Sequence, residues 1–216
     1  MEATDAADLI SEIRDEMREE RAEHASDERF RNVTALVIAI MAVLLAIASL
    51  GGGNVGEDMI HNNISASDTW AFYQAKNVRQ TSYKLAVDDL QALLAASPTL
   101  SGEARAQVEA KIADYRATIA RYDDEPDAAA PSDPLRGEGK KQLSAQARSY
   151  EQARERAAEQ DANFDYSSVL LQIAIVMGSV AILANSRKVL WFAVTMAMTG
   201  TMLMVNGFYL FVHLPF

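Results

Sequence analysis

Val33–Leu50 reads VTALVIAIMAVLLAIASL and carries no charged side chain. A helix needs about 20 mostly apolar residues, at about 1.5 Å of rise each, to cross about 30 Å of hydrocarbon. This stretch is at the short end of that range and rich in Ala, but its flanks are sharp. Two later stretches are of the same kind: Tyr166–Ala184 (YSSVLLQIAIVMGSVAILA) and Val189–Leu214. Together they set the fold class. The chain is expected to be an all-α integral membrane protein with three transmembrane helices. An extramembrane helical hairpin or coiled-coil domain is expected between the first and second.

The expected divisions are 1–32, an acidic cytoplasmic amphipathic helix, and 33–50, the first span. Residues 51–165 form a periplasmic helical domain with a Pro-rich loop at 123–138. The second and third spans are 166–184 and 189–214. Thr4–Glu28 places Leu9 or Ile10, Ile13 and Met17 at helical spacing. Its many acids would be repelled by an anionic leaflet, so a partner helix or plain solvation suits it better than lipid.

The net charge of −10 argues against nucleic acid, because phosphate binding needs clustered bases and here they alternate with acids. Cysteine is absent, which removes disulfides, thiolate metal sites and a Cys nucleophile. Ala46-Ile47-Ala48 resembles a signal-peptidase site, but the region before the first span is long and acidic. Signal peptides begin with short, positive segments, so a retained first span is expected, with a signal anchor as the alternative.

Orientation follows from the bases beside the spans. Arg29 and Arg31 abut the first, and Arg187 and Lys188 sit in the turn Asn185–Lys188 between the second and third. Gly51–Trp70, beyond the first span, has neither Lys nor Arg. The positive-inside rule then makes the N-terminus and that turn cytoplasmic and puts 51–165 on the outside. Phe30, Phe164, Tyr166, Trp191, Phe192, Phe208, Tyr209 and Phe211 resemble interfacial belts.

The outward region reads as helix throughout. Glu57–Ala96 has neither Pro nor Gly, Pro98 marks a turn, and Ser101 is a good N-cap. Glu103–Tyr122 follows, then a loop, then Lys140–Phe164. Heptad lines run through Tyr83, Val87, Leu90 and Leu94, through Val108, Ile112, Tyr115, Ile119 and Tyr122, and through Leu143, Ala147, Tyr150 and Ala157. Each is too short for a long rod, so a bundle packed on itself is expected.

Small residues line the spans. Ala35, Ala39, Ala42, Ala46 and Ser49 form one stripe; Ala174, Gly178, Ala181 and Asn185 a second; Ala193, Ala197, Gly200, Met204 and Gly207 a third. Such stripes let helix backbones approach closely in lipid. Gln172 and Asn206 are expected to hydrogen-bond between spans. No Asp, Glu, Lys or Arg lies within a span, which disfavours a proton pump.

Gly51-Gly52-Gly53-Asn54-Val55-Gly56 matches a dinucleotide fingerprint in spelling alone, since no strand precedes it. Its expected role is to end the first span and turn the next helix away. Asn63-Ile64-Ser65 is a formal glycosylation sequon. His24 with Glu20, and His61 with Glu57 and Asp58, could ligate a metal weakly, but neither has a second His within helical reach, so both read as surface histidines, and His213 falls at the wet outward end of the third span. No nucleophile–base pair stands out. Catalytic, cofactor and metal sites are therefore all expected to be absent, and the protein is not expected to be an enzyme.

Ser67–Asn77 (SDTWAFYQAKN) is the most distinctive stretch. Trp70, Tyr73 and Asn77 share one helix face, with Phe72 and Lys76 beside them. Two readings stand, a hydrophobic clasp against Tyr150 and its neighbours or a partner-binding patch; the clasp is preferred. The motif S-D-x-W-A-x-Y-Q-A-K after an Ala-rich span, with Leu170–Val176 (LLQIAIV) and Asn206-Gly207-Phe208, resembles the bacterial domain-of-unknown-function family 4337. That resemblance implies a membrane protein with three spans and supplies no reaction. The combined expectation is a scaffold or accessory subunit in a bacterial inner membrane, partnered by lipid and by its own copies or another membrane protein. A small oligomeric pore or transport component is the alternative.

Overall fold

A computed structural model describes the backbone of residues 3–213 and the side chains of residues 14, 16–21 and 23–213. Four helices follow in order: α1 Ala3–Ala96, α2 Gly102–Asp123, α3 Lys140–Leu183 and α4 Arg187–Tyr209. Among the described residues there is no strand; an isolated antiparallel bridge joins Pro126 and Gly137 in the loop before α3. By length and composition, α1, α3 and α4 are each long and apolar enough to cross a membrane. The chain divides into two compact units, Met1–Gly56 with Ala158–Phe216, and Glu57–Ala157. Leu9, Ile10 and Ile13 of the expected amphipathic face lie outside the described side chains; Met17 is exposed.

In the Glu57–Ala157 unit the three heptad lines turn inward. Val87, Ile112, Leu143, Ala147 and Ala157 are buried, and Tyr83, Tyr115, Ile119, Tyr122 and Tyr150 are half-buried beside them. Apolar residues at three-and-four spacing give each helix one sticky face, and three such faces close a core. Here α1 and α3 run antiparallel. Arg154 donates to Asn63 and Lys140 to Asn77, so a step of fourteen positions up α1 is matched by fourteen positions back on α3. Ser101 caps α2, its hydroxyl accepting from the Ala104 N–H at 3.2 Å.

The other unit corrects four expectations. First, Gly51–Gly56 does not end a helix, since α1 is helical through it. Each Gly costs about 1 kcal/mol of helix propensity against Ala, and packing explains why two are tolerated. A Cβ on Gly51 would lie 2.6 Å from the Phe164 ring, and one on Gly52 would lie 3.2 Å from Phe164 Cβ. The run removes bulk where α3 crosses.

Second, the small-residue stripe of α1 faces outward. Ala35, Ala39, Ala42, Ala46 and Ser49 are exposed, while Thr34, Met41 and Ala48 are buried. The stripes of α3 and α4 do face inward, at Ala174, Gly178 and Ala181 and at Ala193, Ala197, Gly200, Met204 and Gly207; Asn185 is exposed. Packing pairs large with small: Ile38 of α1 fills the space beside Gly178, where a Cβ would meet its Cγ1 at 2.8 Å.

Third, Arg187 and Lys188 belong to the first turn of α4. The connection is shorter than expected because α3 closes with Asn185 in the left-handed region (φ 44°). Its N–H bonds Ile182 O, and the Ser186 N–H bonds Ala181 O, a Schellman closure. Fourth, α4 ends at Tyr209, short of Leu214. Leu210 is left-handed (φ 50°), and its N–H bonds Asn206 O.

Candidate functional site

The aromatic stretch lies in the Glu57–Ala157 unit and ties α1 to α3. The Trp70 ring is half-buried, and its indole N–H donates to Glu151 Oε1 at 2.9 Å. Its ring partner is Tyr73 of the same helix, edge-on with centroids 5.5 Å apart. The offset packing expected against Tyr150 is replaced by this hydrogen bond. An indole is apolar except for one donor, so a half-buried Trp seeks an acceptor, and Glu151 supplies it.

One turn on, Lys76 is the centre of a polar knot. Its side chain is only 6% exposed, and its ammonium lies 3.0 Å from Glu125 Oε2 and 3.6 Å from Glu138 Oε2. It also donates to Glu138 O. The rings of Phe72 and Tyr122 stand 5.3 and 5.6 Å from the nitrogen. A lysine so far from water needs this many partners, because an unpaired buried charge is very costly. The carboxylates come from the two ends of the Pro-rich loop, so Lys76 clamps that loop onto α1.

Lys140 makes a second clamp. It donates to Gln80 Oε1 (2.7 Å) and Asn77 Oδ1 (3.2 Å) and lies 3.1 Å from Asp123. Gln80, itself 1% exposed, donates to Ile119 O at 2.9 Å. Gln142 donates to Asp124 Oδ1 and accepts from the Glu125 N–H. These contacts hold both carboxyls below the usual carboxylate range, Asp123 chiefly through Gln80 and then Lys140, Asp124 through Gln142 and Lys141. The loop makes this possible with Gly137 at φ +114°, where a Cβ would strike the Glu125 backbone.

In the other unit Phe164 is the largest fully buried side chain, 1% exposed, so it is not an interfacial aromatic. Gly51 and Gly52 of α1 and Gly207 of α4 form its socket, and Phe208 stands edge-on at 4.8 Å. Beside it, Asn206 Nδ2 donates to Asn163 Oδ1 at 2.9 Å, an interhelical bond between α4 and α3. Asn206 also pairs with both backbone groups of Val212, and Gln160 donates to Gly207 O. Gln160, which also reaches Phe208 O, and the Leu210 N–H thus satisfy carbonyls at the end of α4, while Asn206 pins the chain that follows it. Gln172, expected to bond between spans, is instead exposed on α3. Gly200 is buried, and a Cβ there would meet Leu170, Leu171 and Ser167 at 3.2 Å.

Sequence reasoning singled out Trp70, Tyr73, Lys76, Asn77 and Asn206, and each makes a specific contact here. It missed Gln80, Glu125, Lys140 and Gln142. Their signal was faint: Gln80 and Lys140 continue the heptad lines of α1 and α3, and Glu125 and Gln142 lie in or just after the Pro-rich loop. Among the described residues no three His, Asp or Glu side chains gather as a metal site.

One family model matches residues 30–210, a domain of unknown function (DUF4337). No curated protein and no solved structure matches the chain.

Proposed function

The chain belongs to the DUF4337 family, and from that premise we propose that it is a three-span protein of a bacterial inner membrane, a scaffold or accessory subunit with no reaction of its own. Its N-terminus faces the cytoplasm, and the Glu57–Ala157 unit faces the periplasm. The reading rests on one observation. The Glu57–Ala157 unit commits its buried polar groups to internal bonds yet leaves an apolar line exposed on α1. Ile64, Val78 and Leu85 are 53%, 66% and 60% exposed, and Ala71, also exposed, continues the seven-residue spacing.

A line of that period on the outer face of a helix is the chemistry of a helix–helix seam. The partner it suits is a second copy. Two copies in one bilayer present α1 in the same direction, and exposed Lys84 and Asp89 flank the line at the spacing by which opposite charges face each other in a parallel pair. The pore alternative has less behind it. The hydroxyls of Thr195, Thr199 and Thr201 donate to carbonyls of their own helix, and Asn206 is buried.

Disulfide trapping tests the reading, and a Cys-free chain makes it clean. Val78→Cys or Leu85→Cys in native membranes should give a species of twice the mass on oxidation, while Gln107→Cys on α2 should not. Equal trapping at all three positions, or at none, would remove the seam.

A further inference from the structure

Two grooves flank α1 at the end of the first unit that holds the α3–α4 turn, and they differ in charge. One, of about 530 Å³, is lined by Asp27, Glu28, His24 and Arg31 with Asn185, and Asp27 accepts a hydrogen bond from Asn185 at 2.9 Å. Acid and base are mixed there. The other, of about 450 Å³, is lined by Ala25, Ser26, Arg29, Phe30, Val33 and Arg187. Its lining includes two arginines and no acidic residue. Among the described residues neither arginine has an acidic partner within ion-pair distance, and both are exposed.

The two bases come from different helices, α1 and α4, so the fold brings them together. Two arginines lining one space, with no acid beside them, gain when an anion lies between them. Phe30 and Val33 line the same groove, and Val33 opens the apolar stretch of α1. The chemistry therefore changes from cationic to apolar within one turn of helix. The N-cap of α4, Ser186, makes no side-chain capping bond, so the first N–H groups of α4 add to the positive end.

We propose that Arg29 and Arg187 form a binding site for the headgroup of an anionic phospholipid, the phosphodiester between the guanidinium groups and the acyl chains along Phe30 and Val33. Guanidinium suits this because its planar fork grips phosphate oxygens in pairs. The apolar lining distinguishes a lipid from free phosphate, which would gain nothing from Phe30. The proposal rests on the membrane reading above.

The test uses the full chain in detergent, titrated with short-chain phosphatidylglycerol, short-chain phosphatidylcholine or inorganic phosphate, and followed by thermal unfolding. Phosphatidylglycerol should raise the unfolding temperature, and the other two should not. The double variant Arg29→Gln/Arg187→Gln should lose the response, with apparent affinity falling by about tenfold or more. Arg31→Gln, in the opposite groove, should keep it. In the unaltered protein added salt should weaken the response, which gives a reading independent of any variant. A shift with phosphate alone, an equal shift with phosphatidylcholine, or an unchanged double variant would overturn the site. Flotation separates this from the membrane reading. A chain that floats with neither neutral nor anionic vesicles defeats that reading. A chain that floats with both but shows no phosphatidylglycerol response defeats the site alone.

Discussion

A Cβ placed on Gly51 would lie 2.6 Å from Cε1 of Phe164, closer than two carbons can come. Residues 113 positions apart in the chain thereby set the approach of α1 to α3. Neighbouring Gly53 meets nothing within 4 Å. Two glycines in one run thus have opposite roles, and the difference is measurable. Gly51→Ala should destabilise by about 1–3 kcal/mol through overpacking. Gly53→Ala should stabilise by up to about 1 kcal/mol by improving helix propensity. Thermal unfolding in mild detergent checks both, and equal effects would remove the socket.

The Trp70–Glu151 bond predicts a graded series. Trp70→Phe keeps an aromatic ring and loses the donor, at a cost of about 1 kcal/mol. Trp70→Ala should cost about 2–3 kcal/mol, less than a fully buried Trp because the ring is half-buried. Glu151→Gln keeps an acceptor and should cost little. Denaturant unfolding gives the order; a Phe variant as damaging as the Ala variant would mean the bond outweighs the packing.

Lys76 predicts an asymmetry. Its charge is buried, while its partners Glu125 and Glu138 are 33% and 68% exposed. Lys76→Met removes the buried charge and leaves carboxylates that water can reach, so it should cost less than about 1 kcal/mol. Glu125→Leu leaves the buried ammonium short of a partner and should cost about 2–3 kcal/mol. Protease nicking of the loop between Asp124 and Gly139 would rise with the second change. The reverse order would contradict the clamp.

Acid should loosen the same knot. Asp123 and Asp124 are held below the ordinary carboxylate range, so the folded state binds their protons less readily than the unfolded chain. Their contribution is present above the unfolded carboxylate value and fades as pH falls through the lower folded one. Unfolding midpoints taken from about pH 6 down to about pH 3 should therefore fall, and Asp123→Asn should flatten that slope. An unchanged slope would show that the carboxyl does not carry the effect.

Topology is open to labelling. Ser132→Cys in the loop should react with a membrane-impermeant maleimide in spheroplasts, and Ser186→Cys in the α3–α4 turn should not. Reversed labelling would overturn the positive-inside reading.

Local pattern was enough for much of this. The apolar lengths of Val33–Leu50 and Tyr166–Ala184, the stop at Pro98 and the cap at Ser101 are read from neighbours in the chain, because helix formation and burial period are local. The heptad lines through Tyr83 and Ile112 likewise told which faces turn inward, since in water only the apolar face is sticky. In the long apolar stretches that argument fails. Every face there is apolar, so the small-residue stripe of α1 and that of α4 look alike in sequence, yet one faces outward and the other packs. Which face packs depends on the partner, Gly178 receiving Ile38, and only the tertiary structure supplies it. Gly51 read as a helix end because glycine favours ends; Phe164, distant in sequence, made it a contact instead. The Lys76 knot was illegible for the same reason. Its carboxylates lie beyond α2, and a buried charge is stable only where the fold gathers its partners.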